Sequence, residues 1–446
     1  MTAGEADTPP SGADAVVVGA GVIGAAVALE LARTGRRVVV VDKADGVGHG
    51  STGASSAIIR FDYSTWDGVA TAWESRHCWA RWAEHLGTVR GPGLAAFRRT
   101  GAVLLDAPGS GTSEVVALFE RAGVPYERWD AATLRSRVPG IDAGRYGPPR
   151  SLLDDAFFSG PEGELGALFT PDAGFDDGPQ LAAQNLADAA ARVGARFLFR
   201  RAVVGVLRGE DRVAGVRLAD GTAITAPVVV NAAGPWSGGF NRLAGVGAEF
   251  TVGVRPLRQE VHQVAAPVRR SDGAASGSGG TGTGTGTTFG LIVADVDLGT
   301  YLRLSGGHVL IGSTLPACDP REWLDDPDEC NPHPTPARFE TQVTRAARRF
   351  PLLGVPNRLS GVAGVYDRTD LAGFYVAMGT SGNQFKNAPL AGRFLAALVD
   401  RVEAGHDHDR DPLRYTGEHT GVVVDLGAFS RRRPLAEGAA SRTVMG

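Results

Sequence analysis

Gly19, Gly21 and Gly24 read G-x-G-x-x-G, and an acidic residue, Asp42, follows Gly24 by 18 positions. Glycine at the first position permits a tight turn. At the second it lets backbone N–H groups approach a pyrophosphate, and at the third it lets a helix pack closely on a strand. An aspartate at that distance can accept hydrogen bonds from a ribose hydroxyl pair. The chemistry is dinucleotide binding; for the glycines alone, a structural turn is the alternative. Arg60 closes a small-residue segment, 46–60, whose Gly50, Ser51, Thr52, Ser55 and Ser56 can lie flat against a ligand and offer backbone N–H donors. Ile58 and Ile59 draw Arg60 inward. Among 45 basic residues only Lys43 and Lys386 are lysines. A chain that uses arginine almost everywhere keeps lysine where a compact point charge is needed. That reading is applied to Lys386, in a late glycine turn; for Lys43, chance retention is the simpler one.

The elements that must position these residues follow from periodicity. Val16–Val18 is a short apolar run, the pattern of a buried parallel strand, and Val22–Arg33 suits a helix rich in Ala and Leu. A second strand, Arg37–Asp42, follows. Residues 67–87 predict one helix whose Val69, Trp73, His77, Trp79 and Trp82 belong to the core. A strand is expected from Thr100, helices over Glu114–Ala122 and Gln180–Val193, and strands over Arg196–Phe199, Ala202–Arg208 and Val213–Leu218, with a turn at Asp220-Gly221. Pro227–Trp236 is a buried strand ending in small residues, which let Ala233, Gly234 and Trp236 approach the nucleotide from a second side. Residues 250–266 and 289–313 predict longer strands of a separate sheet. The Gly/Thr/Ser run between them, 271–288, reads as a flexible insertion. Gly373–Gly379 (strand), Thr380–Lys386 (turn) and Pro389–Val399 (helix) form a second strand–turn–helix unit whose amides can face a negatively charged ring or carbonyl oxygen.

Composition narrows the class. The chain of 446 residues exceeds one ordinary core, so two domains are expected. Apolar content of 43% and a net charge of −4 describe a soluble globular protein with no nucleic-acid or membrane partner. No run approaches the ~18 apolar residues of a membrane span. Residues 1–12 read as a tail, not a signal peptide, and a cytoplasmic location follows. Cys78, Cys318 and Cys330 fit neither a metal site nor a disulfide framework. Asp154, Asp155, Glu162 and Glu164 read as a solvated loop, so no metal is expected.

Taken together, five segments carry a resemblance: Val17–Gly24, Gly50–Arg60, Val230–Trp236, Gly364–Tyr366 and Gly379–Lys386. The chain from about Asp14 to Phe429 resembles the D-amino acid oxidase and sarcosine oxidase family of flavoproteins. The segment ending at Arg60 looks most like the β subunit of heterotetrameric sarcosine oxidases. The resemblance implies FAD, not NAD. It implies an α/β fold: a doubly wound, glutathione-reductase-like FAD-binding domain (13–88, 167–238 and 361–427) interleaved with an α+β substrate domain on an antiparallel sheet (89–166 and 239–360, with the loop 270–288). Residues 1–12 and 430–446 would be tails.

The same resemblance places Gly19, Gly21, Val22, Ile23 and Gly24 on the FAD pyrophosphate, and Asp42 with Lys43 on the adenosine side. Gly50, Ser51, Thr52, Ser55 and Ser56 would line the flavin, Val203 or Val204 would meet the adenine through its backbone, and Ala233, Gly234, Trp236 and Gly364 would complete the site. Gly382, Asn383, Gln384, Phe385 and Lys386 would face the flavin edge. Arg60 and Lys386 match a pair that clamps the substrate carboxylate, Tyr366 a tyrosine lining the substrate pocket, and Tyr301 is a weaker candidate on a neighbouring strand.

Several positions depart from that pattern. Gly364 stands where cysteine-linked members carry the flavin-bearing Cys, and Ala54 where histidine-linked members carry His. With His49 five residues early, FAD is expected to be non-covalent. The sarcosine oxidase branch has a basic residue at Ala57, a lysine associated with oxygen activation near Leu310, and a histidine near Thr314. The implied activity is oxidation of the C–N bond of an amino acid or secondary amine bearing a carboxylate, such as an N-substituted glycine, with molecular oxygen or another electron acceptor as second substrate. The alternatives are an FAD-dependent dehydrogenase of an amine or hydroxy acid using a non-oxygen acceptor, and a non-catalytic flavoprotein subunit.

Overall fold

The computed structural model describes residues 10–251, 255–267, 290–305, 307–353, 361–366, 374–376, 385–408 and 410–429. Its chain starts in a five-stranded parallel sheet. The first strand, β1 (Ala15–Val18), lies at the centre with the second, β2 (Val38–Val41), on one side and Val228–Asn231 on the other; Arg196–Leu198 and Phe374–Val376 form the edges. Every residue of β1, β2 and Val228–Asn231 is buried. That explains the unbroken valine runs: a parallel strand covered on both faces has no solvent side to mark with polar residues.

Between β1 and β2 runs the helix α1 (Val22–Arg33), buried at ten of its twelve positions. It is wedged between the helices Pro179–Arg192 and Ala388–Glu403. Small residues permit this. A Cβ on Gly392 would lie 2.5 Å from the Ala26 carbonyl oxygen, so the two helices touch backbone to backbone.

The second large element is a nine-stranded sheet. Its strands run in the order Glu322–Trp323, Leu257–Ala265, His308–Ser313, Thr300–Ser305, Ile292–Asp295, Ala102–Leu105, Ala167–Thr170 and Glu127–Trp129, and Gly361–Tyr366 also pairs with Leu257–Ala265. The expected sheet was antiparallel; this one is mixed, because Ile292–Asp295 lies parallel to Ala102–Leu105. Ala167–Thr170 and Gly361–Tyr366 both pair within it, so the piece boundaries expected at 167 and 361 fall inside the large sheet.

One face of this sheet is dry core. Val264, Leu302, Val309 and Ile311 pack with Phe339, Val343 and Ala346 of the helix Pro336–Arg349. Register then fixes the other face. Tyr301 is opposite Gly312 and Arg303 is opposite Leu310, and directly opposed residues of an antiparallel pair share a side. The sheet therefore turns Tyr301 and Arg303 away from the helix, towards the segment after residue 50.

Three local expectations change. The run 289–313 is three strands, not one, because Gly299 and Gly307 both take φ +85° and turn the chain. The helix expected over 67–87 is interrupted: α2 covers Trp66–Ala80, Arg81 leaves helical geometry at ψ 44°, and a short helix resumes at Trp82–His85. Ser11 and Gly12, expected in a tail, lie beside Ala223–Thr225, and the Thr225 N–H donates to the Ser11 carbonyl at 3.1 Å. Among the described residues no helix is long and apolar enough to cross a membrane. Residues 270–288 and 430–446 lie outside the described residues.

Candidate active site

A cavity of about 540 Å³ opens at the carboxyl ends of β1, β2 and Val228–Asn231, where ligands of open α/β sheets bind. The three fingerprint glycines do different jobs there. Gly19 has φ +107°, and a Cβ on it would sit 2.2 Å from the Ala232 carbonyl oxygen. A Cβ on Gly24 would lie 1.9 Å from the Gly19 carbonyl oxygen, which fixes how closely α1 approaches the turn. Gly21 alone leaves room: its nearest obstacle is Thr52 Oγ1 at 3.2 Å. Gly19 and Gly21 line the cavity with Val22 and Ile23, whereas Gly24 packs behind it.

Gly50, Ser51, Thr52 and Ser55 form another wall. Thr52 Oγ1 accepts the Val22 N–H at 3.0 Å, satisfying one of the first free amides of α1. Asp42 reaches the cavity from the end of β2. Its carboxylate accepts Ala20 N–H at 2.6 Å and Ala44 N–H at 2.8 Å, which fixes the side chain at the mouth.

Val203, Ala233, Gly234, Trp236 and Phe385 also line the cavity. Val204, the other backbone candidate, is 47% exposed and is not part of the lining. His49 also lines the cavity, with Nδ1 2.6 Å from Asp45.

Lys43 is better placed than its sequence context suggested. Its Nζ lies 4.1 Å from the Trp236 ring centroid and 2.6 Å from Asp328 Oδ2. Asp328 belongs to a loop, Asp325–Asp328, that starts from the large sheet and closes one side of the cavity. The pair is solvent-exposed, so its strength depends on salt. Asp328→Asn is expected to speed release of a bound nucleotide at low ionic strength, with the difference from wild type shrinking in high salt; stopped-flow flavin fluorescence measures it.

A second cluster adjoins the cavity through Phe385, whose neighbour is Lys386. Lys386 is 1% exposed, and among the described residues its Nζ has no hydrogen-bond partner. Burial first, and the Arg60 guanidinium second, hold its pKa well below the ordinary lysine value. Arg60, also buried, comes from the end of β3 (Ile58–Ile59) and bonds the Asp62 carboxylate at 2.9 Å and its carbonyl at 2.6 Å.

Both cations face one ring: Arg60 Cζ lies 5.3 Å and Lys386 Nζ 5.0 Å from the Tyr63 centroid. Burial raises the Tyr63 phenol above its ordinary pKa, and its hydroxyl bonds Asn387. The Lys386 backbone is fixed from below, because Trp79 Nε1 donates to its carbonyl at 2.5 Å and Ser75 Oγ donates to the same oxygen. Trp79 also stacks on Phe385 at 5.1 Å. Trp73, Trp79 and Trp82 are core, as expected, whereas His77 is half-buried; that core holds the turn.

Tyr301 joins the cluster from the sheet, its hydroxyl 3.1 Å from Ser56 Oγ. Its ring lies across Gly312, where a Cβ would sit 2.2 Å from Tyr301 Cζ. Gly312→Ala is therefore expected to displace the Tyr301 ring and break the Ser56 bond. Cofactor content should be retained, and tyrosine near-ultraviolet circular dichroism should change. Between Ser56 and Ile58 the buried Ala57 takes φ +49°, which turns the chain from the cavity wall into β3.

The FAD dependent oxidoreductase family model matches residues 14–398, spanning the cavity and both cations. The chain belongs to that family. No curated protein matches it in sequence. Solved structures match across most of their length. L-proline dehydrogenase from P. horikoshii is 22% identical with a TM-score of 0.68, over 88% of this chain and 94% of that one. Glycine oxidase from Geobacillus kaustophilus is 22% identical with a TM-score of 0.66, over 90% and 98%. L-amino acid deaminase from Proteus vulgaris is 17% identical with a TM-score of 0.64, over 88% and 94%. At these identities the likeness establishes the fold.

Members of the FAD dependent oxidoreductase family use FAD, and this chain's residues fit it. A glycine turn leaves the α1 amides facing a cavity, Asp42 stands at its mouth, and Phe385 leads from it to Lys386. Gly382, Asn383 and Gln384 lie outside the described residues. Gly364 and Tyr366 are placed by backbone register, opposite Gln259 and Leu257. Sequence reading missed Tyr63, Asp62 and Asp328. An acid two residues after a buried arginine was the available signal for Asp62; Tyr63 had none, because it matters only once β3 folds against Asn387.

Proposed function

We propose that this chain oxidises the C–N bond of a small carboxylated amine, an amino acid or an N-substituted glycine, with FAD bound in the cavity. The observation that carries this reading is Lys386 Nζ, a buried cation-forming group with no hydrogen-bond partner among the described residues, beside Arg60 and over the same tyrosine ring. Burying such a group unpaired is costly. A substrate carboxylate supplies the missing counter-charge, and two cations define its orientation.

The residues then act in order. Arg60 and Lys386 hold the carboxylate. The positive field they create opposes an ammonium group nearby and favours loss of its proton, which frees the nitrogen lone pair. Bound FAD supplies the electron acceptor for the α-carbon hydride. Departure of that hydride leaves an imine, and water added to the imine gives a carbonyl compound and an amine. No side-chain base is required for this sequence.

Linkage gives a pH test. A bound carboxylate raises the depressed Lys386 pKa, so binding takes up a proton. Affinity for a non-reactive carboxylate should be highest below the free-enzyme pKa, fall as pH rises through the window between the free and bound values, and then level off. Calorimetry in buffers of different ionisation enthalpy should show proton uptake in that window. Binding without proton uptake contradicts the assignment.

A second reading rests on Leu310, a buried leucine where the resembling branch carries its oxygen-associated lysine. Under it the same oxidation delivers electrons to an acceptor other than oxygen. Oxygen consumption measured against reduction of an artificial acceptor separates the two.

A further inference from the structure

At the sheet face that carries Tyr301 stand two further buried charges, Arg303 and Asp176, which form no ion pair among the described residues. Arg303 is 4% exposed, and its one hydrogen bond among the described residues is from Nη1 to the adjacent Leu304 carbonyl, at 3.1 Å. Its Nε is buried with no hydrogen-bond partner among the described residues, and its guanidinium carbon lies 4.4 Å from the Phe175 ring centroid. Asp176, next to Phe175, is fully buried. One carboxylate oxygen accepts the Gly178 N–H at 2.9 Å and the other has no hydrogen-bond partner among the described residues.

The two groups interact electrostatically, yet among the described residues no ion pair joins them. Opposite charges in a dry region normally close into a pair, because each otherwise loses hydration without recompense. Buried charges without partners call for a third polar group.

Both residues neighbour the proposed clamp. Tyr301 precedes Arg303 by two residues on the same face, and its phenol lies in the fields of both Arg60 and Arg303. Asp176 donates its N–H to the Ala57 carbonyl at 3.0 Å, and its strand, Gly174–Asp176, pairs with β3, which leads directly into Arg60. Resting on the clamp reading, we propose that the space between Arg303 and Asp176 receives a second carboxylate of the substrate, so that the preferred substrate is a dicarboxylated amine. Arg303 supplies the cation. Burial raises the Asp176 pKa to about 7, which lets its orphan oxygen carry a proton and donate to the incoming anion instead of repelling it. Burial lowers Arg303 only to about 10, so it stays charged at neutral pH.

The test uses the FAD-loaded enzyme without oxygen and two substrates of similar length, N-(2-carboxyethyl)glycine and N-butylglycine. Wild type should bleach its flavin with the dicarboxylate at a kcat/KM about tenfold or more above that for the butyl compound. Arg303→Met should remove most of this preference and leave N-butylglycine within about twofold of wild type, and Arg303→Lys should restore part of it. A wild type without the preference overturns the proposal while leaving amine oxidation standing, as does an Arg303→Met enzyme that loses both substrates equally. Failure of both compounds to bleach the flavin overturns the clamp reading and this proposal together. Wild-type discrimination is read independently of whether the variants fold.

Discussion

Lys386→Met should yield an enzyme that is at least as stable as wild type, retains FAD, and has lost its grip on carboxylates. The side chains are similar in length, and the substitution removes a buried ammonium group that has no partner among the described residues. Losing one charged partner of a desolvated carboxylate costs about 2–4 kcal/mol, or roughly 30- to 1,000-fold in kcat/KM.

The stability effect has a defined pH dependence. Lys386 has a folded pKa below its unfolded value, so its destabilising effect is absent above the lysine value in water. It grows as pH falls towards the depressed pKa and is complete below it. The advantage of Lys386→Met in thermal unfolding should therefore widen from high pH to neutral pH. Arg60→Ala is the less clean variant, because it strands the half-buried Asp62 carboxylate and should lower stability as well as binding. Loss of FAD in Lys386→Met would contradict the separation of the clamp from the cofactor cavity.

Gly24→Ala should have the largest structural effect of any single methyl group near the cavity. The added carbon would lie 1.9 Å from the Gly19 carbonyl oxygen and 2.9 Å from its carbon. Both are backbone atoms of a turn that is itself closed against Ala232, so nothing flexible can yield. Relief requires moving α1 off β1, at about 3 kcal/mol or more. Gly21→Ala is the control. Its methyl would meet only a threonine hydroxyl, at 3.2 Å. That chain should fold normally and bind FAD more weakly, because the methyl projects into the cavity. Thermal unfolding of the apoprotein and flavin fluorescence titration distinguish the two outcomes.

This contrast shows what a linear sequence can carry. The β1–α1–β2 unit was legible because its valine runs, glycine spacing and terminal aspartate all lie within thirty residues and point to one structure. Lys386 was legible through the scarcity of lysine. Tyr63 was not, since its position under both cations depends on contact with Asn387, more than 300 residues away. Arg303 was hidden for a related reason: the face it occupies follows from the register that sets Arg303 opposite Leu310, and hydropathy alone does not give it. The same register puts Tyr301 across Gly312, a proximity that nothing in the local sequence announces. The interruption at Arg81 has no glycine or proline to announce it, so periodicity ran two helices together.

In the proposed reaction a carboxylated amine gives its hydride to the flavin in a site whose cations are Arg60 and Lys386. Anaerobic mixing of the FAD-loaded protein with a panel of carboxylated amines, each paired with its decarboxylated analogue, tests it most directly. At least one carboxylated member should bleach the flavin absorbance, its analogue should not, and Lys386→Met should slow the bleaching by the factor given above. A panel in which no carboxylated amine reduces the flavin, or in which the carboxylate makes no difference, would contradict it.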